Sequence, residues 1–417
     1  MKRTSIGLLL ASLIMFSNLT VVKAAETSMP KIEGKAGITM DIDTGEIIYQ
    51  NNIDDKYFPA STTKLMTALL FAENKNKTDE IKYTESAKKQ PQDSIDKNLH
   101  KMQIGESMSA SDTMDALMLF SANDAANMMA DSVGGSEEKF VQLMNDKVKQ
   151  LGLKNTNFVS ANGLHDDNHY TTPYDLSVIA REAFKNDWVR ESMQKKTSKI
   201  STSTGTILIL SNRNKLLGVY GCVGGKTGYT SQAGRCLVAY YERDGRRLVG
   251  VVMKSVYDSD DSFVFNDMKK IIDWSYDQKP VTLHKTGDTV KTEAITYKPL
   301  KYFGPTKTIN VPLVVKENVN YYDNSVNKKE LKEDYKLDKV NVWSLNSQNP
   351  AGTLVISERE ATRNIKLYTT ISSGSIVKQN LLLYIGTVLG AIIVILGLLI
   401  ICLRLRYVSR KKSKRYY

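Results

Sequence analysis

Phe58-Pro59-Ala60-Ser61-Thr62-Thr63-Lys64 runs without interruption into Leu65-Met66-Thr67-Ala68-Leu69-Leu70-Phe71-Ala72. The apolar run predicts a buried helix that opens near Ser61. Helical i, i+3 spacing sets the Ser61 hydroxyl and the Lys64 amine on one face. A serine at a helix N-terminus lies among backbone N–H groups without intrahelical partners, and these favour developing negative charge. A lysine buried against an apolar helix loses the hydration of its ammonium, so its pKa falls toward values at which the free amine accepts a proton. The stretch therefore reads as a serine nucleophile with its own base. Ser-x-x-Lys alone is common here: at least seven further matches occur, among them those that begin at Ser86, Ser94, Ser136, Ser192, Ser325, Ser375 and Ser409. Only the surroundings of Ser61 separate it from them.

The charge of +12 is positional. Residues 1–24 hold three basic residues and 404–417 hold seven, with no acid in either, so 25–403 carries 47 basic against 45 acidic residues. That pattern is topogenic and argues against a nucleic-acid partner. Lys2-Arg3, the mostly apolar 6–22 and Val22-Lys23-Ala24 read as a signal peptide, 1–24, cleaved after Ala24, with an uncleaved anchor as the alternative. Residues 381–403 hold no charge and at ~1.5 Å per residue reach roughly 34 Å, a transmembrane helix. The basic tail directly after it, 404–417, marks the cytoplasmic side. The expected location is therefore the cell membrane, single-pass, with 25–375 extracytoplasmic. Three cysteines, Cys222, Cys236 and Cys402, are too few for a disulfide framework; the first two could pair or stand as separate buried thiols.

Residues 36–50 predict a hairpin turning at Asp43-Thr44-Gly45, directly before the Ser61 helix. Residues 111–120 predict an amphipathic helix with Met114, Leu117, Met118 and Phe120 inward, and 124–133 predict a second. Ser121 and Asn123 thus fall at a helix–helix junction, though Ser160-Ala161-Asn162 repeats the tripeptide. His165 and His169 frame two aspartates, but the Gly, Asn and Pro content opposes the helix that would align them, so neither metal nor cofactor is expected. Residues 175–184 predict a helix, and 206–210, 235–241 and 247–256 predict strands. Lys226-Thr227-Gly228 then sits at the edge of an antiparallel sheet, with Gly224, Gly225 and Gly228 admitting a ligand close to the backbone. Lys285-Thr286-Gly287 repeats the triplet without the preceding glycines. A helix is expected over 261–276, with Phe265, Met268, Ile271 and Ile272 inward. Beyond Pro280 the texture changes to alternation, as in 309–315 and Lys339-Val340-Asn341-Val342-Trp343, which predicts a small β-rich domain over 281–372.

Ser61-x-x-Lys64, Ser121-x-Asn123 and Lys226-Thr227-Gly228, in this order and at these structural positions, are the set shared by penicillin-binding proteins and serine β-lactamases. The chain resembles the D-alanyl-D-alanine carboxypeptidases, the low-molecular-mass penicillin-binding proteins of peptidase family S11, closely over roughly 30–278. Asn162-Gly163-Leu164, His169-Tyr170-Thr171-Thr172 and Tyr229-Thr230 with Ala233-Gly234 extend the likeness. It implies an α+β fold: an antiparallel sheet flanked by helices with an all-α subdomain, as in the serine β-lactamases, over 25–278. The β-rich domain after it also fits the family layout. It implies a serine carboxypeptidase that removes the terminal D-alanine from peptidoglycan stem pentapeptides and is acylated by β-lactam antibiotics. Ser61 would be the nucleophile and Lys64 the general base. Ser121 would relay a proton and Asn123 would orient Lys64 and the substrate. Lys226, Thr227, Gly228 and Thr230 would bind substrate, and the backbone N–H groups of Ser61 and Tyr229 would form the oxyanion hole. Endopeptidase action on cross-links and a non-catalytic penicillin- or wall-binding protein are the alternatives. A full span replaces the amphipathic surface helix that ends some members, which changes anchoring and not chemistry.

Overall fold

Residues 237–241 and 248–253 are apolar or aromatic at nearly every position, the pattern of strands covered on both faces. The computed structural model describes residues 28–338, 341–359 and 361–413; the expected leader lies outside them. These two runs sit in the middle of a five-stranded antiparallel sheet. Its strands are β1 (Ala36–Asp41), β2 (Ile47–Asn51), β3 (Cys222–Thr230), β4 (Gly234–Arg243) and β5 (Arg246–Ser255), in the order β2-β1-β5-β4-β3.

Helix α1 (Lys64–Asn74) is buried from Lys64 to Phe71 on every side, so it forms part of the core rather than a surface stripe. It packs against α2 (Asn123–Gly134) and α3 (Pro173–Lys185). Cys236, Val238, Tyr240, Val249, Val251 and Met253 join that core. The alternate residues Leu237, Ala239, Tyr241, Leu248 and Val252 face α4 (Ser262–Asp277), where Phe265, Met268, Ile271 and Ile272 are buried as expected. Full burial of such a side chain contributes about 1.5–3 kcal/mol, so α4 is firmly seated. At Gly250 a Cβ would come 2.4 Å from the Met268 sulfur, so only glycine lets α4 approach this closely.

A second sheet follows, with β6 (Thr289–Tyr297), β7 (Lys307–Val315), β8 (Lys332–Leu337), β9 (Gly352–Glu358) and β10 (Ala361–Thr369) in the order β6-β7-β10-β9-β8. Alternate residues Val311, Leu313, Val315, Leu354, Ile356 and Leu367 form its core. One expectation fails here. Val342 and Trp343 belong to a 3₁₀ turn, Val342–Ser344, and not to a strand. The Asn341 side chain accepts the Trp343 N–H at 3.0 Å, a local bond that competes with strand pairing; Lys339 and Val340 lie outside the described residues. The two sheets are tied together: Asn327 donates to the Ile47 carbonyl at 2.9 Å, and Arg359 grips Asp54 at 2.7 and 2.8 Å.

Cys222 and Cys236 are free, buried thiols, and Cys402 is exposed. The last element, α5 (Leu381–Ser413), continues as one helix past the apolar residues into the basic tail, and 381–411 is long and apolar enough to cross a membrane.

Candidate active site

The chain enters α1 through a tight 3₁₀ turn, Ala60–Thr63, whose second residue is Ser61. Ala60 has φ +49°, a conformation rare for a residue with a Cβ, so the packing around the turn must hold it. Gly163, itself at φ +82°, presses on it: a Cβ there would fall 2.0 Å from the Ala60 carbonyl oxygen. From the other side, a Cβ on Gly228 of β3 would lie 2.9 Å from the Ser61 nitrogen. The serine is wedged between a loop and a strand that both come close only because they carry glycine.

Lys64 is fully buried and donates three hydrogen bonds, to Ser61 Oγ at 2.9 Å, Asn123 Oδ1 at 2.8 Å and the Asn162 carbonyl at 2.9 Å. The Asn123 amide is oriented by its NH₂, which donates to the Gln92 carbonyl at 2.9 Å, so its oxygen must face Lys64. Burial brings the Lys64 pKa down to about 7, partly offset by the Asp93 charge. In the neutral amine two N–H groups suffice for the two carbonyl-type oxygens, which can only accept. The lone pair then points at the hydroxyl that can reverse its role and donate, Ser61.

Ser121 follows helix Ala110–Asp115 and a single π turn, Ala116–Phe120, that ends with Ser121 in the left-handed region at φ +70°. Lys226 reaches it from β3: its Nζ donates to Ser121 Oγ at 2.8 Å and to the Thr227 carbonyl at 2.9 Å. Burial first, and then the Lys64 and Arg213 charges, push the Lys226 pKa well below the ordinary lysine value. Two buried amines thus share one site, each aimed at a different serine. Thr227 is half-buried, and Thr230 Oγ1 accepts the Ala233 N–H at 3.0 Å, which leaves the Thr230 proton free to donate. Tyr229 stacks on Tyr257 at 4.7 Å, with the Arg235 guanidinium 4.5 Å above its ring. β3 is the outer strand of its sheet, so one backbone edge is left unpaired beside Ser61.

Hydrogen bonds therefore join Ser61 with Lys64 and Asn123, and Ser121 with Lys226. Gly228 abuts Ser61, while Thr230 stands at the far end of β3. Several supporting residues were given no role in the expected site. Asp124, whose pKa burial raises, accepts the N–H groups of Ile95 and Asp96, each at 2.9 Å, and pins the loop that supplies Gln92. Asp93 accepts the Asn123 N–H through its carbonyl at 2.7 Å and holds Arg213 through its carboxylate at 2.7 Å. His169 accepts the Val159 N–H on Nδ1 at 3.1 Å, so Nε2 carries the proton and donates to Thr63 Oγ1 at 2.8 Å; burial brings its pKa down to about 4. His165 sits apart, edge-on to Phe58 at 4.7 Å. Among the described residues no group of three or more His, Cys, Asp or Glu could hold a metal ion. Asn162-Gly163 and His169-Tyr170-Thr171-Thr172 were visible as motifs; Gln92 and Asp93 lie in a polar passage without periodicity.

The chain is 30% identical over 298 residues to the D-alanyl-D-alanine carboxypeptidase DacF of Bacillus subtilis, covering 70% of this chain and 75% of that protein. It is 29% identical over 316 residues to DacC of Escherichia coli, covering 73% and 76%. Among solved structures, the Streptomyces K15 DD-transpeptidase superposes with a TM-score of 0.54 at 29% identity, over 60% of this chain and 100% of that one. A D-alanyl-D-alanine carboxypeptidase from Mycobacterium tuberculosis superposes with 0.57 at 26% identity, over 62% and 96%. The sheet with its helical layers is thus the fold of the penicillin-binding proteins and serine β-lactamases. The family model for D-alanyl-D-alanine carboxypeptidases, Peptidase_S11, matches residues 23–256, a span that encloses every residue of the cluster around Ser61. The chain belongs to that family of serine-type D-Ala-D-Ala carboxypeptidases.

Proposed function

We propose that Ser61 forms an acyl-enzyme with the penultimate D-alanine of peptidoglycan stem pentapeptides and releases the terminal D-alanine. The observation that carries this reading is the Lys64 amine, 2.9 Å from Ser61 Oγ, dehydrated, and bound to two oxygens that leave its lone pair to the serine. Ser61 Oγ attacks the carbonyl carbon as its proton passes to Lys64 Nζ. The oxyanion settles on the N–H groups of Ser61 and Tyr229, where one donor is worth about 2.7–4 kcal/mol. Collapse breaks the C–N bond, and Ser121, hydrogen-bonded to Lys226, passes its proton to the departing amine while taking one back from the Lys64 ammonium, which returns to the free amine. Water then cleaves the ester and regenerates Ser61. Thr227, Gly228 and Thr230 line the strand against which the peptide lies, and Thr230 donates to its terminal carboxylate. β-Lactams acylate the same hydroxyl because their strained amide meets the same groups.

In this reading 25–278 is the catalytic domain and 281–372 a β-rich module. The apolar helix 381–403 tethers both to the outer face of the cell membrane, with 404–417 in the cytoplasm after removal of leader 1–24. Mass spectrometry of muropeptides treated with the purified protein tests the reaction. Pentapeptides shortened by one alanine support it. Intact pentapeptides with cleaved cross-linked dimers would make the enzyme an endopeptidase, and no change in either would leave a penicillin-binding protein without hydrolysis.

A further inference from the structure

The turn between β6 and β7 reads Lys298-Pro299-Leu300-Lys301-Tyr302-Phe303-Gly304-Pro305-Thr306, and no acidic residue stands between Glu293 and Glu317. Tyr302 and Phe303 are 69% and 74% exposed, although aromatic rings of this size normally find cover. The turn is nonetheless built. Leu300 and Phe303 form a β-bridge, Lys301 takes a left-handed φ of +68°, and Pro299 is buried. It is also fastened to the foot of α5. Tyr384, in the first turn of α5, donates to the Pro299 carbonyl at 2.9 Å. Just before α5, Asn380 donates to the Tyr297 hydroxyl at 2.8 Å and accepts from Lys307 at 2.7 Å, so both ends of the turn are held.

The turn therefore stands at the level where the apolar residues of α5 begin. Exposed aromatics among lysines at that depth match the headgroup layer, where amphipathic rings and basic side chains partition together. We infer that the 298–306 turn is a second membrane contact, which seats Tyr302 and Phe303 among the headgroups of the bilayer that α5 enters. Lys298 and Lys301 meet anionic phosphates there. One helix alone would leave the ectodomain free to swing; a second point of attachment fixes which face it turns to the wall. This inference rests on the reading of α5 as a transmembrane helix.

Both are tested with full-length protein in proteoliposomes. Exposed cysteines carrying an environment-sensitive fluorophore are placed by Tyr302→Cys, Lys285→Cys and Val394→Cys in a Cys402→Ser background, where the remaining Cys222 and Cys236 are buried and the unsubstituted background serves as the labelling blank. Lys285 lies in the turn at the opposite end of β6, roughly 30 Å away at strand rise. With nitroxide lipids labelled at the headgroup or mid-chain, the 302 probe is quenched by the headgroup label at least about threefold more than the 285 probe. The 394 probe is quenched by the mid-chain label. Equal quenching at 302 and 285 with a quenched 394 overturns the second contact alone. An unquenched 394 probe overturns the transmembrane reading and the contact with it. Anionic lipid increases quenching at 302 over zwitterionic lipid, and Lys298→Gln with Lys301→Gln abolishes the increase; equal quenching in both lipids overturns the role given to these lysines.

Discussion

Asn123→Asp puts a carboxylate where a neutral amide now accepts from Lys64 Nζ at 2.8 Å. At an effective dielectric of about 20, that contact favours the ammonium by about 6 kcal/mol, a ceiling of about four pKa units. Burying the carboxylate, and facing it to the Gln92 carbonyl that now receives the amide NH₂, takes back part of that. We expect the Lys64 pKa to climb from about 7 by roughly two to three units. The neutral share at pH 7 then falls from about one half to between about 1 in 100 and 1 in 1000. Acylation by a fluorescent penicillin should slow roughly 50- to 500-fold at pH 7 and recover about tenfold per pH unit toward pH 9. The assay is the acylation rate against pH for wild type, Asn123→Asp and Asn123→Ala. Asn123→Ala loses the acceptor without gaining a charge, so its rate drops with no upward move of the midpoint. An Asn123→Asp profile whose midpoint stays near 7 would refute the assignment of Lys64 as the base.

Further expectations concern the scaffold. Gly163→Ala drives a methyl into the Ala60 carbonyl at a positive φ; a loss of about 2–4 kcal/mol in unfolding free energy and a more than tenfold drop in acylation should follow, and a variant equal to wild type in both would remove the wedge. His169 is neutral in the fold down to about pH 4 and titrates near 6.5 when unfolded, so the unfolded chain binds more protons in that window. Its stabilisation is complete above pH 6.5 and is lost as pH falls, by about 2 kcal/mol at pH 5; denaturant unfolding of His169→Gln should show a correspondingly flatter curve between pH 7 and 5. Lys285→Ala, in the second Lys-Thr-Gly, should leave penicillin labelling at the wild-type level, and a clear loss would overturn the division of the chain near residue 278.

Much of the fold could be read because burial leaves period in the sequence. Two-sided burial made 237–241 and 248–253 continuous apolar runs, and one-sided packing spaced Phe265, Met268, Ile271 and Ile272 along α4. The site was readable where chemistry demands a residue type at a fixed offset, as in Ser61 and Lys64. It was not readable where the fold uses backbone. The carbonyls of Asn162 and Gln92 carry no side-chain signature, and the left-handed Ser121 arises from a π turn that the regular spacing of 110–120 conceals. Val342 and Trp343 misled because alternation persists through a turn that a single asparagine bond closes.

We propose Ser61, activated by Lys64, as the acylated nucleophile. Intact-protein and peptide mass spectrometry after brief exposure to benzylpenicillin tests it most directly. One adduct is expected, on the peptide that contains Ser61, absent from Ser61→Ala together with release of D-alanine from pentapeptide. An adduct that persists in Ser61→Ala, or that maps to another serine, contradicts it.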